Sequence, residues 1–299
     1  MAISYIASPL SGYFGAKGRM LGKILPLIPK NHDYFLELFG GGGPVTLNKS
    51  PAKIKDIYND RDTRAVSVLK TVADPDLFDI FLERVLMGLW SRQEFIEGRR
   101  IVMSAKKFSK LPLVEQAALY FHMVAMTFSG DMAGMSWSFS TGSSGGNMPL
   151  NMRRRFNTLR HLPLCHKRLQ QVEITNLDFR KALKASKWTR KSVVYADPPY
   201  LSDTRKQGGY FIEMTEEDHK DLLRLLDNFP GKVILSGYAH PLYDKFLSRK
   251  GWQRIDEAAY CFSVGTTRET KLTRRDTGGD ISAAEKGQRI ESLWVKKPL

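Results

Sequence analysis

The stretch DYFLELFGGGGPV, residues 33–45, decides the fold. The apolar residues of DYFLEL favour a buried strand, the four glycines favour a tight turn, and a helix is predicted to start near Pro44. A strand, a glycine turn and a helix in this order are typical of a parallel sheet whose strands are joined by helices. The stretch therefore predicts an α/β domain.

Strand and helix patterns continue to alternate on both sides of this stretch. Strands are predicted in KIKDIYND (53–60), QVEITNLDF (171–179), KSVVYADPPY (191–200), KVILSGY (232–238) and RIESLWVKK (289–297). Helices are predicted in RMLGKILPLI (19–28), DTRAVSVLKTV (62–72), EEDHKDLLRLLDNF (216–229) and HPLYDKFLSRKG (240–251). The expected fold is a doubly wound, mostly parallel Rossmann-like sheet.

Composition limits the classes of protein that the chain can represent. The 299 residues are 42% hydrophobic, enough for a sizeable core, and no apolar run is long enough to predict a membrane span. Two cysteines are too few for a disulfide framework or a zinc site, and the six histidines show no metal spacing. We therefore expect a cytoplasmic protein without a metal, as a monomer or weak dimer.

The positive charge is concentrated in the middle of the chain. The formal net charge is +15, and residues 91–192 contain 18 Lys and Arg against 6 Asp and Glu. This region overlaps a mainly helical segment, residues 74–170, which contains a Gly/Ser-rich run at 129–150 that is predicted to be a loop. We expect residues 1–73 and 171–299 to form the catalytic domain and residues 74–170 to be an insertion that contacts a polyanion.

The tetrapeptide Asp197-Pro198-Pro199-Tyr200 carries the strongest chemical signal. Two prolines after a strand force a rigid turn, which directs the Asp197 carboxylate and the Pro198 carbonyl into the same crevice. Two neighbouring oxygen acceptors match an exocyclic NH2 group, and Tyr200 offers a flat face to the ring that carries it. When both oxygens accept hydrogen bonds from the amine, the lone pair of its nitrogen becomes localised. The nitrogen can then attack an electrophilic methyl group.

Two further signals lie at the ends of the first two predicted strands. The glycines after Phe39 allow close approach to a ligand, although a tight turn without a ligand is equally compatible with them. Asp60 follows the second strand and is placed to accept hydrogen bonds from ribose hydroxyls, or else to cap the next helix.

The order of these motifs resembles the Dam-like DNA adenine-N6 methyltransferases in the α arrangement. The matching segments are YFGAKGRM, FLELFGGGG, IYND, a long basic insertion, TNLDF and YADPPY. The resemblance implies S-adenosylmethionine as cofactor, double-stranded DNA as substrate, and a helical recognition insertion. Two features depart from the family pattern: four glycines stand together, and Gly237 stands where an asparagine is common.

The resemblance also implies roles for individual residues. Asp197, Pro198, Pro199 and Tyr200 correspond to the catalytic set. The expected cofactor contacts are Tyr13, Lys17, Glu37, Phe39, Gly40, Gly41, Asp60, Asp178, Phe179 and Asp197. On the residues alone, Lys17 is compatible with a solvated surface position and Asp178 with a helix cap.

A duplex base must be flipped out to bring its amine to Asp197. The expected DNA contacts are Arg153, Arg154, Arg155, Arg160, Lys167, Arg268, Lys271 and Arg274. Arg168 and Arg275 belong to the same two basic segments, and Trp137 and Phe139 could fill a distorted duplex. A solvated charged face is the plain alternative for these cations.

Other functions remain compatible with the same residues. The site proposed for the amine would also suit N6 of adenine in RNA or N4 of cytosine. A DNA-binding relative that has lost activity would keep the same residues around the site. A nicotinamide oxidoreductase is disfavoured because the glycines lack the G-x-G-x-x-G spacing. Cytosine-C5 methylation is disfavoured because no cysteine follows a proline.

Overall fold

A computed structural model describes residues 5–13, 15, 17–127, 136–137, 150–201, 210–248, 251–260 and 288–298. These residues form a seven-stranded sheet of order β3-β2-β1-β4-β5-β7-β6. Strands β1 to β5 are parallel, and β7 runs antiparallel between β5 and β6. The strands are β1 Tyr34–Glu37, β2 Lys55–Asn59, β3 Val172–Thr175, β4 Val193–Ala196, β5 Lys232–Tyr238, β6 Trp252–Tyr260 and β7 Gln288–Lys296. The predicted doubly wound α/β fold is confirmed.

Helices connect the strands and cover both faces of the sheet. The α-helices are α1 Leu21–Ile24, α2 Pro44–Asn48, α3 Thr63–Ala73, α4 Phe78–Met87, α5 Arg92–Val102, α6 Ala105–Phe108, α7 Leu113–Met126, α8 Leu150–Leu169, α9 Phe179–Ala182, α10 Glu216–Asp227 and α11 Pro241–Leu247. Two short 3₁₀ turns, Lys17–Met20 and Leu25–Leu27, flank α1. None of the helices in the described ranges is long and apolar enough to cross a bilayer.

Successive side chains of the central strands point to opposite faces of the sheet, so the core has one part on each face. Phe35 of β1 and Val193 of β4 pack with α1 and α2, whereas Leu36 and Val194 pack with α9, α10 and α11. All four side chains are almost completely buried. Burial on both faces is the reason that these strands read as continuous apolar runs.

The segment between α3 and β3 contains helices α4 to α8. Their apolar side chains share one cluster with α3 and with Leu47 and Tyr58 of the sheet domain. Phe81 and Phe121, for example, meet edge to face with ring centroids 5.8 Å apart. The division at residues 73 and 171 stays a prediction, because this apolar cluster is continuous across it.

A buried group of charges also joins this segment to the sheet. Asp56 of β2 accepts hydrogen bonds from the Lys49 ammonium and from the Arg168 guanidinium of α8. Arg168 Nε donates to the carbonyl of Thr46 in α2 at 3.1 Å. Arg168 is therefore a structural residue in the interior and not a surface cation.

Candidate active site

A crevice opens where the direction of strand addition reverses, between the carboxyl ends of β1 and β4. The backbone N–H of Leu38 donates to the Tyr195 carbonyl at 2.9 Å and holds the two strand ends together. Ligands of open α/β sheets bind at such a reversal point. The crevice encloses about 900 Å³, including its part open to solvent.

Most of the expected cofactor and catalytic residues line this crevice. They are Tyr13, Lys17, Glu37, Phe39, Gly40, Gly41, Asp60, Phe179, Asp197 and Pro199. Asp178, Pro198 and Tyr200 are not among the lining residues. The structure therefore brings most of the predicted set together, although the role of each residue stays a prediction.

The glycine turn is shaped by neighbouring tyrosines. A Cβ on Gly40 would lie 2.0 Å from the Tyr58 ring, and one on Gly41 would lie 2.9 Å from the Tyr13 ring. Gly41 also has a φ of +50°, which side chains rarely adopt. The Tyr58 hydroxyl donates to the Gly41 carbonyl at 2.6 Å, so the turn and β2 are held as one unit.

Glu37, the last residue of β1, points at the start of α2. Its two carboxyl oxygens accept the backbone N–H groups of Val45 at 3.3 Å and Thr46 at 2.7 Å. Burial raises the pKa of Glu37 to about 7, against the lowering effect of those hydrogen bonds. A side chain thus occupies the helix N-terminus that a dinucleotide pyrophosphate would need.

Asp60 accepts two backbone hydrogen bonds and does not cap α3. Its carboxyl oxygens accept the N–H groups of Gly41 at 2.8 Å and Asp62 at 2.7 Å. Asp62 is the cap, because its side chain accepts the N–H of Arg64. Burial raises the pKa of Asp60 to about 6. The helix-cap alternative for Asp60 is therefore wrong.

Asp197 follows β4 directly and forms an ion pair inside the crevice. The Lys17 ammonium lies 2.9 Å from Asp197 Oδ1, and the two side chains are 6% and 15% exposed, respectively. Burial raises the pKa of Asp197 to about 6, while Lys17 opposes that shift. The surface alternative for Lys17 is therefore wrong.

Tyr200 is buried behind Asp197. Its hydroxyl lies 2.7 Å from Glu291 Oε1 and 3.3 Å from Asp197 Oδ1, and it donates to the nearer oxygen. The Lys17 ammonium lies 4.8 Å from the centroid of its ring, and the Tyr238 ring meets it at 4.6 Å. The expected stacking of a base on Tyr200 stays a prediction.

Asp178 and Phe179 have different positions. The Asp178 side chain accepts the N–H of Arg180 and caps α9, which is the alternative given above for this residue. The Phe179 ring meets that of Phe39 with centroids 5.8 Å apart, at the edge of the crevice. These two rings form an apolar surface beside the glycine turn.

Several residues at the site were missed by the sequence reasoning. Asn59 ties three strand ends together, since its amide donates to the carbonyls of Leu38 and Leu177 at 3.1 Å each. Glu291 on β7 contacts Lys17 at 3.1 Å, although its strand gave no signal of chemistry. Other lining residues outside the expected set include Tyr195, Tyr210, Phe211, Ile212, Met214 and Asp218.

The expected DNA contacts on α8 divide between surface and interior. Arg153, Arg160 and Lys167 are exposed and follow each other at seven-residue intervals, which places them along one side of the helix. Arg154 is half-buried beside Gly12. Arg268, Lys271 and Arg274, like Phe139 and Arg275, lie outside the described residues.

Arg155 occupies the interior, contrary to the expectation that it contacts DNA. It is 7% exposed, and its guanidinium donates to the carbonyls of Val85 at 2.7 Å and Gly88 at 3.2 Å. Trp137 also packs within the helical segment, 5.4 Å from the ring of Phe95. Both side chains therefore have structural partners.

Comparison with known proteins agrees with this geometry. The chain is 26% identical over 264 residues to the type II methyltransferase M.FokI of Planomicrobium okeanokoites, covering 83% of this chain and 37% of that protein. It is 24% identical over 259 residues to the type II methyltransferase M1.LlaDCHI of Lactococcus lactis subsp. cremoris, covering 79% and 83%. A segment of 60 residues is 47% identical to the modification methylase StsI of Streptococcus sanguinis, covering 20% and 9%.

The chain thus spans little more than a third of the length of the Planomicrobium relative and most of the length of the Lactococcus one. The family model for the D12 class of N6 adenine-specific DNA methyltransferases matches residues 13–259. This match contains the glycine turn, Asp60 and the Asp197 corner. The chain belongs to the D12 class of N6 adenine-specific DNA methyltransferases.

Proposed function

We propose that the chain transfers a methyl group from S-adenosylmethionine to adenine N6 in double-stranded DNA, with the target base flipped out of the helix. One observation carries this proposal: the largely buried Asp197 carboxylate lines the crevice, directly before the Pro198-Pro199 corner. A carboxylate and a rigid carbonyl in sequence supply two acceptors for one amine. Membership of the D12 class supports adenine as the base.

The charge of the crevice fits a cationic donor better than an anionic dinucleotide. Its lining includes the carboxyl groups of Glu37, Asp60 and Asp197 against the cations Lys17 and Arg61. Two further lining carboxylates, Asp62 and Asp218, are paired with Arg64 and Arg180. A pyrophosphate would be repelled by these groups and would find the N-terminus of α2 occupied. This argues against the nicotinamide oxidoreductase alternative.

The lining also suits the adenosine part of the donor. Asp60 is placed to accept hydrogen bonds from ribose hydroxyls, and the rings of Phe39 and Phe179 offer an apolar surface for a purine. The glycines bring the backbone close to this space without side chains. We propose these residues, with Tyr13 and Glu37, as the binding set for S-adenosylmethionine.

Asp197 acts on the amine itself. When bound, S-adenosylmethionine supplies an electrophilic methyl group, whose bond to sulfur breaks with both electrons left on sulfur as the amine nitrogen bonds to carbon. Asp197 and the Pro198 carbonyl hold the amine hydrogens and stabilise the positive charge that develops on nitrogen. Asp197 then accepts the proton that the amine loses.

The exposed side of α8 is the best candidate surface for DNA. From Arg153 through Arg160 to Lys167 there are 14 residue steps, or about 21 Å at the rise of an α-helix. Cations at this spacing can contact phosphates of one duplex and orient it toward the crevice. Arg268, Lys271 and Arg274 stay predictions, as do a cytoplasmic location and a monomer or weak dimer.

The experiment compares the wild-type protein with Asp197→Asn on duplex DNA, single-stranded DNA and RNA. The nucleic acids are digested to nucleosides, and methylated bases are measured by mass spectrometry. We expect N6-methyladenine from duplex DNA with the wild type, and about 10²-fold to 10⁴-fold less with the variant.

Methyl found only in RNA, or only on cytosine N4, would overturn the proposed substrate. Equal incorporation by both proteins would remove Asp197 from the mechanism. No incorporation by a folded wild type that binds DNA would favour an inactive DNA-binding relative.

A further inference from the structure

Glu291 contacts the buried ion pair of Lys17 and Asp197 at the active site. It lies on β7, two strands away from β4 in the sheet. Its Oε1 atom accepts a hydrogen bond from the Tyr200 hydroxyl at 2.7 Å and lies 3.1 Å from the Lys17 ammonium. The same ammonium lies 2.9 Å from Asp197 Oδ1. One cation therefore bridges two carboxylates, and the side chain of Glu291 is only 12% exposed.

The position of Glu291 is fixed by the sheet. In the ladder of β5 and β7 it lies opposite Tyr238, whose ring meets that of Tyr200 at 4.6 Å. Glu291 lies beyond residue 259, where the match to the family model ends. The family comparison therefore gives this residue no role.

The three charges do not cancel. Lys17 contributes one positive charge, whereas ionised Asp197 and Glu291 contribute two negative charges. Lys17 and Asp197 alone would form a neutral pair. At low dielectric, a net negative charge favours cations that bind or form nearby.

We propose that Glu291 is a positioning residue that holds Lys17 and Tyr200 and keeps the Asp197 site net negative, so that the site selects a cationic methyl donor over its neutral product. This inference rests on the proposed function. It assigns Glu291 an electrostatic role in addition to its hydrogen bonds. Glu291 acts through Lys17, Tyr200 and Asp197 and does not itself contact the substrate.

The titration of Asp197 gives a second measurable consequence. Asp197 faces Lys17 from the N-terminal segment, Glu291 from β7 and Tyr200 from its own loop, with Glu37, Tyr195 and Tyr243 further away. Glu291 raises the pKa of Asp197, and Lys17 lowers it. Neutralising Glu291 therefore shifts the acid limb of the methylation rate to lower pH.

The test uses Glu291→Gln, which keeps an acceptor for Tyr200 and Lys17 and removes only the charge. Titration calorimetry measures binding of S-adenosylmethionine and of S-adenosylhomocysteine, its neutral thioether. We expect affinity for the cation to fall about tenfold, while affinity for the neutral compound changes less than about twofold. The acid limb of kcat moves to lower pH, and KM for DNA stays within about twofold.

Asp256→Asn is the matched control, because Asp256 lies on β6 opposite Ser292, the neighbour of Glu291. Its carboxylate accepts a hydrogen bond from Ser292 at 2.6 Å and belongs to the outer part of the sheet. We expect both affinities and the pH profile of this variant to match the wild type. Thermal unfolding checks that each variant is folded.

Two results would overturn the inference. Equal weakening of both ligands by Glu291→Gln would show a purely structural role, and wild-type affinities with an unmoved acid limb would show no role. A failure of the proposed function is distinguishable, because the wild type would then transfer no methyl to DNA. A charge-selective loss of binding in that case would still support Glu291 as a determinant of donor selection.

Discussion

Asp56→Asn tests the buried charges that join α8 to the sheet. The substitution keeps the size of the side chain but leaves Lys49 and Arg168 without a counter-charge, and all three side chains are at most 10% exposed. Removing one partner from a buried ionic group costs about 3–5 kcal/mol. We expect a loss of that size in the free energy of unfolding.

The pH dependence refines this magnitude. In the wild type, burial lowers the pKa of Lys49 to about 8, against the raising effect of the Asp56 charge. Loss of that charge lowers the pKa further, so Lys49 loses its proton in the folded variant at lower pH than in the wild type, whereas Arg168 stays protonated. The unfolded chain keeps Lys49 protonated at these pH values, so stability rises with pH. The deficit of the variant relative to the wild type should therefore be larger at pH 6 than at pH 9.

Urea unfolding, followed by circular dichroism and tryptophan fluorescence at both pH values, measures the effect. Lys167→Ala is the control on the same helix, since Lys167 is exposed and adjacent to Arg168. We expect it to change stability by less than about 0.5 kcal/mol. A loss below about 1 kcal/mol for Asp56→Asn would refute the reasoning, as would an equal loss for Lys167→Ala.

Three further predictions concern the site. Arg160→Ala and Lys167→Ala should each lower the salt dependence of DNA binding by about one unit of log K against log salt; unchanged slopes would place the duplex elsewhere. Methylation should decline below about pH 6, because Asp197 must be ionised to accept the amine hydrogens; a rate that is constant down to pH 4.5 would contradict this. Gly40→Ala should lower the free energy of unfolding by about 1–3 kcal/mol and weaken the binding of S-adenosylmethionine, because its Cβ would overlap the Tyr58 ring. If urea unfolding and titration calorimetry gave wild-type values for this variant, that overlap would be excluded.

The central strands could be predicted because both of their faces are buried. KVILSGY matches β5, Lys232–Tyr238, at both ends, and the alternating strands and helices gave the fold class. Strand β6, Trp252–Tyr260, was missed because WQRIDEAAY mixes charged and apolar residues at the sheet edge. The predicted helix at 19–28 instead consists of α1 between two 3₁₀ turns, interrupted near Pro26.

The site was less predictable than the fold. Local motifs led to Glu37, Asp60 and Asp197, because Glu37 ends a strand and Asp60 and Asp197 each follow one directly. Glu291 could not be found in this way, since its hydrogen-bond partner Tyr200 and its ion-pair partner Lys17 lie more than 90 positions earlier. Its pairing depends on β7 running between β5 and β6.

The runs of basic residues on α8 predicted surface contacts for side chains that are buried, and the reason is the geometry of the helix. Arg153 and Arg155 are two residues apart, which on an α-helix is a rotation of about 200°, so one faces solvent and the other the core. Arg168 likewise lies about 100° from Lys167. Since α8 begins after a Gly/Ser-rich segment, nothing local in the sequence fixed which side of the helix would be buried.

The Asp56, Lys49 and Arg168 contact has a consequence for engineering. An attempt to change the recognised DNA site by exchanging residues 74–170 with a relative would remove Arg168 and leave Asp56 with one cation. Such a chimera would require an arginine at the equivalent position, or an uncharged residue in place of Asp56. The exchanged segment must therefore match the charge of residue 56 in the sheet, whatever DNA bases it is designed to contact.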